Sequence, residues 1–235
     1  MNRIFIHNKI CNGNIIEVTE QKNYLINVLR LSIGSTILIF NGINGEYIGE
    51  IIEIRKTHLL IKVIERTREQ VSSEELGIYL AIIKQDKMLL AIDMAVQLGV
   101  TSITPVTTEY TQYRDINYEK INKRIIESTE QSNRLDIALL NKTISLKSLL
   151  QDTEKKIIWT NLNEKDKTIR DVKIDLFNSI LIGPEGGFSQ KENMMISENL
   201  NFQSIFLGKN ILRTETALAC AISQFTLFKI SKTLL

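Results

Sequence analysis

Apolar and polar positions follow two different rhythms along the chain. Through about residue 68, short β-branched runs at residues 4–6, 36–40, 47–54 and 59–64 are separated by turn residues. That rhythm predicts a small β-rich domain. Asn41-Gly42 and Asn44-Gly45 supply the positive φ that a tight turn between strands needs, so residues 36–54 read as a hairpin with a short loop. Residues 24–31 read as a helix with Leu25, Val28 and Leu29 on one side and Gly34 just beyond. The polar stretch Glu69-Gln-Val-Ser-Ser-Glu-Glu75 has no apolar periodicity and marks a linker. Expected domains are therefore residues 1–70 and 71–235.

After the linker, strands alternate with helices. Residues 76–83 read as a buried strand and 86–98 as a helix with Met88, Ala91, Ile92, Ala95 and Leu98 on one face, stopped by Gly99. Further strands are expected at 100–105, 156–160, 179–183 and 204–208, with helices at 117–134 and after each of the last two strands. This alternation predicts an α/β fold with a mostly parallel sheet covered on both faces.

Composition narrows the class without naming a partner. At 43% hydrophobic and 24% charged, with 11 Gly and 2 Pro in 235 residues, the chain is that of an ordinary globular protein. A net charge of +2 permits RNA as a partner but does not require it, because a useful basic footprint is a local patch. Cys11 and Cys220 are too few and too far apart for a disulfide framework and fit a reducing compartment. With His7 and His58 they form no zinc set, so no metal is expected. The first residues lack the apolar region of a signal peptide and no stretch approaches ~20 apolar residues, so a cytoplasmic location is expected.

Two turns near the C-terminus carry the chemistry. The first is Leu181-Ile-Gly-Pro-Glu-Gly-Gly-Phe-Ser189, where Ser189 and Glu192 make the Ser-x-x-Glu pattern of a capping box. Small residues there let backbone groups approach a ligand, although glycines alone also suit an ordinary strand-to-helix connection. Neither a Walker loop nor a Gly-x-Gly-x-x-Gly turn occurs. Glu185, in mid-turn, would repel phosphate but could accept bonds from a sugar hydroxyl, an amine or backbone amides. The second turn is Leu207-Gly-Lys-Asn-Ile-Leu-Arg-Thr-Glu-Thr-Ala217, with Thr214 or Thr216 as the helix N-cap. Arg213 stands where its charge opposes the helix dipole, which points to an anionic or carbonyl partner, with neighbouring Glu215 as the structural alternative. Both turns follow apolar strands and open helices, where α/β proteins bind ligands, and their closeness suggests one ligand between them.

At these residues the chain resembles the 16S rRNA uridine-N3 methyltransferase family, a branch of the SPOUT superfamily of S-adenosylmethionine enzymes. The two turns resemble that family's two cofactor loops. Support runs along the chain in Arg3-Ile-Phe, Val28-Leu-Arg30, Phe40-Asn-Gly42, Lys87-Met, Gln97-Leu-Gly-Val100, Ile103-Thr-Pro105 and Glu130-Gln-Ser-Asn-Arg134. Two departures stand out. Tyr110 occupies a position where the family usually has Arg, and Ile137-Ala-Leu replaces its usual Val-Pro after Arg134.

The resemblance implies a PUA-like N-terminal β-barrel that binds RNA and a C-terminal SPOUT-type α/β domain tied in a deep trefoil knot, a feature no hydrophobic pattern can reveal. It also implies a homodimer acting on 16S rRNA or the small ribosomal subunit. S-adenosyl-L-methionine would be held by Ile182, Gly183, Pro184, Glu185, Gly186, Gly187, Leu207, Gly208, Ile211, Leu212, Arg213, Thr214, Thr216 and Ala217. Arg213 is the candidate for stabilising charge on the uracil carbonyls, with Glu185 and Thr216 shaping the site. Glu185, Glu215 or a bound water could take the N3 proton. Arg3, Arg30, Lys87 and Arg134, with Lys84, Arg114, Lys123 and Arg124, are candidate phosphate contacts. Two other readings stay open: a related SPOUT enzyme acting on another rRNA or tRNA nucleotide, and a non-catalytic RNA-binding ribosome-assembly factor.

Overall fold

The computed structural model describes residues 2–113, 115–152, 154–161 and 167–233. It divides into two units. Residues up to Ser73 together with Thr129–Ile137 form the first, and the other described residues form the second.

In the first unit, β1 (Arg3–Phe5), β2 (Ile15–Val18), β3 (Thr36–Phe40), β4 (Glu46–Ile54) and β5 (Leu59–Arg68) build a five-stranded sheet in the order β1-β3-β4-β5-β2. Only β1 and β3 pair in parallel. The expected hairpin is β3–β4, and Asn41 pins its loop by accepting from the amides of Ile43 at 3.0 Å and Asn44 at 2.8 Å. Bulges along the β4–β5 ladder bend the ribbon. The sheet curls enough for Ile4 of one end strand and Ile16 and Val18 of the other to share a core with Leu25, Ile39, Ile51 and Ile61.

Two elements of this unit differ from the sequence expectation. Strand β5 continues to Arg68 through a polar stretch, because its ladder with β4 runs on to the Glu46–Arg68 pair. In place of an α-helix, Tyr24–Val28 forms a π turn in which the Leu29 amide donates to the Tyr24 carbonyl at 3.0 Å. That wider register rotates Val28 off the buried side, leaving it 62% exposed while Leu25 is buried.

Arg3 explains why Thr129–Ile137 belongs here. Its Nε lies 2.6 Å from Glu46 Oε2, its Nη1 donates to the carbonyls of Thr129 at 3.0 Å and Glu130 at 3.4 Å, and its Nη2 donates to the carbonyl of Arg134. The guanidinium also lies 3.9 Å above the Phe40 ring. A buried arginine needs its donors matched, and these acceptors take four of its five N–H groups.

The second unit contains β6 (Gly77–Ala81), α1 (Gln85–Gln97), β7 (Ser102–Thr107), α2 (Tyr118–Gln131, its last turn counting with the first unit), β8 (Leu139–Leu140), β9 (Ile144–Ser145), α3 (Leu146–Leu150), β10 (Ile157–Thr160), β11 (Ser179–Ile182), α4 (Gln190–Ser197), β12 (Phe202–Ile205) and α5 (Thr214–Thr233). Its sheet runs β12-β10-β11-β6-β7-β8, with β9 also against β7, and every pairing is parallel. Tyr79, Val106, Ile157, Trp159 and Leu181 pack one face against Leu146 and Leu149 of α3 and Ile196 of α4. Their neighbours in sequence, Ile78, Leu80, Ile158, Ile180 and Ile182, point the other way and are also buried. The expected last strand lies earlier, at Phe202–Ile205, because its register is set by pairing with Ile157–Thr160. Residues 206–213 are thereby freed as a loop. Among the described residues no helix is long and apolar enough to cross a membrane.

Candidate active site

The strand order creates the site. Strands β10, β11 and β12 are adjacent, so their carboxyl ends open side by side. A cleft of about 270 Å³ lies there. It is lined by Thr160 and Asn161 at the end of β10, the stretch Ile182–Phe188 from the end of β11 with Asn193 of α4, and Leu207, Asn210, Ile211, Leu212, Thr214 and Ala217 beyond β12.

The first turn is held from several sides. Pro184 O accepts from Gly187 N at 2.9 Å, and Gly187 has φ +69°, a conformation that a side chain would strain. A Cβ on Gly183 would lie 3.0 Å from Phe188 Cε2, so the ring packs where only glycine leaves room. Phe188 in turn meets Trp159 edge to face at 6.0 Å between centroids. The capping box forms as the sequence pattern predicts. Glu192 N donates to Ser189 Oγ at 3.2 Å and Ser189 N to Glu192 Oε2 at 2.9 Å. Asn193 adds bonds from Nδ2 to the carbonyls of Phe188 and Ser189 at 2.8 and 3.0 Å.

The second turn is more open. Ile211 is 84% exposed and Arg213 is exposed at the start of α5. Thr214 is the first residue of that helix, not its N-cap. Its hydroxyl donates to the Gly183 carbonyl at 3.2 Å, which ties the second turn to the first. Thr216 is exposed, and neither it, Arg213 nor Gly208 lines the cleft. Gly208 instead takes φ +138° where the chain leaves Leu207.

Charge in the cleft is sparse. Glu185 is the single charged side chain among the described lining residues. Such a lining favours a cationic or neutral ligand over a polyphosphate. Glu215 is withdrawn from this setting: it is 5% exposed, and its Oε1 lies 3.4 Å from Lys87 Nζ. The partner of Glu215 is therefore Lys87 of α1, not Arg213, and Glu215 does not line the cleft.

The candidate phosphate contacts separate by burial. Arg3, with its side chain 7% exposed, is consumed inside the first unit, and Arg134, 10% exposed, is 2.6 Å from Asp136. Both side chains are engaged inside the first unit, Arg3 by acceptors far along the chain and Arg134 by a carboxylate two residues on. Lys87 is likewise engaged by Glu215. Arg30 is exposed, with φ +55°. Lys84 lies 3.5 Å from Asp86 and Arg124 3.6 Å from Glu127, both on exposed helix surface, and Lys123 is exposed. Arg114 lies outside the described residues.

Sequence reasoning missed Thr160, Asn161 and Asn193 in the lining, whereas Phe188 and Asn210 lie within the two turns it singled out. The first two had a usable signal, since they end an apolar strand, the usual ligand side of a parallel sheet.

A cleft beyond adjacent parallel strands is where an α/β protein binds its ligand. A family model for an RNA methyltransferase domain matches residues 70–226, and one for an RNA methyltransferase PUA domain matches residues 18–64. The ribosomal RNA small subunit methyltransferase E of Rickettsia conorii is 38% identical over 96% of this chain and 95% of its own length. That of Buchnera aphidicola subsp. Schizaphis graminum is 31% identical over 94% of each. Among solved structures, a methyltransferase of Legionella pneumophila in complex with the bound cofactor SAM superposes with a TM-score of 0.87 at 28% identity, covering 96% of this chain and 97% of the other. The ribosomal RNA small subunit methyltransferase E of Neisseria gonorrhoeae gives the same score at 24% identity, over 97% and 98%. The chain belongs to the ribosomal RNA small subunit methyltransferase E family.

Proposed function

We propose that this protein methylates N3 of a specific uridine in the 16S rRNA of the small ribosomal subunit, using S-adenosyl-L-methionine held in the cleft between the two turns. The observation that carries the reading is the cleft itself: backbone-rich, glycine-bearing, with Glu185 as its one charged lining side chain among the described residues. That donor set fits a ligand bearing a sulfonium and an amine. The cofactor bound by the Legionella relative is the same molecule.

When bound, the cofactor offers an electrophilic methyl: N3 forms the new C–N bond, the C–S bond breaks, and its electron pair stays on sulfur. The protein's residues must supply the rest. The neutral imide is a poor nucleophile, so its proton has to leave before or during transfer. Arg213, exposed at the head of α5 and outside the cleft lining, would meet the substrate and lower the energy of charge building on the uracil carbonyls. With Glu215 held by Lys87, Glu185 or a water it orients is the proton acceptor. A paired N3 is inaccessible, so the base must be unpaired or flipped.

The fold reading includes a deep trefoil knot, supported by the adjacency of β10, β11 and β12 and by the Thr214–Gly183 tie between the loops. A homodimer is supported by Leu227 and Ile230, 71% and 53% exposed one helical turn apart on α5. In the cytoplasm, the N-terminal PUA unit would grip the rRNA, with Arg30 its exposed basic candidate. Mass spectrometry of rRNA nucleosides from a deletion strain tests the reaction. Loss of 3-methyluridine from one small-subunit position, restored by the native gene and not by Arg213→Ala, is the expected result.

A further inference from the structure

The loop after β7 is fastened to the site without lining it. Glu109 N donates to Glu192 Oε1 at 2.7 Å, and Glu109 Oε2 accepts from Ser189 Oγ at 2.6 Å. Thr108 N donates to Thr111 Oγ1 at 2.7 Å, closing the loop on itself. Between these anchors stands Tyr110, 51% exposed. A Cβ on Gly186 would lie 3.8 Å from Tyr110 Cδ2, so the ring sits beside that glycine. Gly186 lines the cleft and Tyr110 does not. The ring therefore stands on the outer rim, at the side of the first turn.

A surface tyrosine with no task needs no such anchoring, and a core tyrosine would be covered. A flat ring held half-exposed at a fixed place is what an unstacked base docks on, since any base presents a π face. The chemistry of the loop selects a neutral base over a phosphate. Residues 108–113 read Thr-Glu-Tyr-Thr-Gln-Tyr, with one carboxylate and no cation. The cofactor's adenine is the less suitable guest, because Gly186 lines the cleft and the ring does not.

We propose that Tyr110 is the platform on which the target uracil stacks once it has left the RNA, holding its N3 toward the cleft. This rests on the methyl-transfer reading above, and makes Tyr110 a substrate-positioning residue. A flipped base loses its stacking partners, and the ring returns part of that loss.

The test uses the full chain, small subunits from the deletion strain as substrate, and Tyr110→Ala, Tyr110→Phe and Tyr110→Trp. For Tyr110→Ala, kcat/KM for the subunit should fall roughly 5- to 150-fold, with S-adenosylmethionine affinity by calorimetry unchanged. Tyr110→Phe should restore the rate, because the ring and not the hydroxyl does the holding. Fluorescence of Tyr110→Trp should be quenched by the substrate over a constant signal from Trp159, which is only 1% exposed. The proposal is overturned if Tyr110→Ala keeps full kcat/KM, if Tyr110→Phe is as poor as Tyr110→Ala, or if cofactor affinity falls in step with the rate. Should the native protein methylate no uridine N3, the functional reading fails instead, and the quenching experiment still decides whether the ring meets a base.

Discussion

The two turns that face each other across the cleft are built by opposite means. Residues 182–189 are locked by a capping box, by Phe188 against Gly183, and by the bonds of Asn193. Residues 207–213 leave Ile211 and Arg213 exposed, and Thr214 ties them to Gly183 at their far end. A pre-organised wall lowers the ordering cost of holding a ligand, whereas an open edge leaves side chains free to meet a second one. On the proposed reading, the first turn would be the pre-formed wall of the cofactor cleft, and the second would add the exposed Arg213 for the RNA.

The largest effect should separate these roles outright. Arg213→Ala should slow methyl transfer by about 10²- to 10³-fold while leaving S-adenosylmethionine affinity within about threefold; a parallel loss of both, measured by single-turnover kinetics and calorimetry, would break the division. Next in size is Gly183→Ala, whose methyl would meet the Phe188 ring at 3.0 Å. Overpacking there costs on the order of 1–3 kcal/mol, read as weaker cofactor binding.

Stability should register the wall more than the edge. Glu192→Ala would strand the amides of Ser189 and Glu109, destabilising the protein by about 1–3 kcal/mol and lowering Tm by several degrees. Thr214→Val removes one bond between the turns, about 0.5–1.5 kcal/mol, and should weaken cofactor binding only a few-fold. The smallest effect lies in the first unit and serves as a control. Burial alone would raise the Asp136 carboxyl, but the hydrogen bond and charge of Arg134 and a bond from Ser73 outweigh it and hold its pKa low. Its contribution is thus present above the ordinary carboxylate pKa of about 3.9 and fades as pH falls through that range toward the lower folded value. Acid melts of Asp136→Asn should show a flatter loss there, with cofactor binding at neutral pH unchanged.

What the chain declared in advance was local. The Ser189–Glu192 box joins residues three apart, and the cleft turns follow apolar strands, so each was legible from its own neighbourhood. Partners distant in sequence were not. Arg3 read as a surface cation until Glu46 and backbone carbonyls claimed it, and Glu215 read as a neighbour of Arg213 until the packing of α1 on α5 brought Lys87 to it. Thr160 and Asn161 entered the lining because β10 lies between β11 and β12, an order that periodicity does not encode.

Arg3 also sets a schedule. Its carbonyl partners at Thr129 and Arg134 lie 126 and 131 positions further along. A ribosome adding roughly 5–20 residues per second needs about 6–25 s to reach them. For that interval the β-sheet of the first unit exists with an arginine that has Glu46 but not its carbonyl acceptors. Its curled strands can pair early, but the unit is finished only after much of the second one has left the ribosome, so a stall before Ile137 leaves both units incomplete.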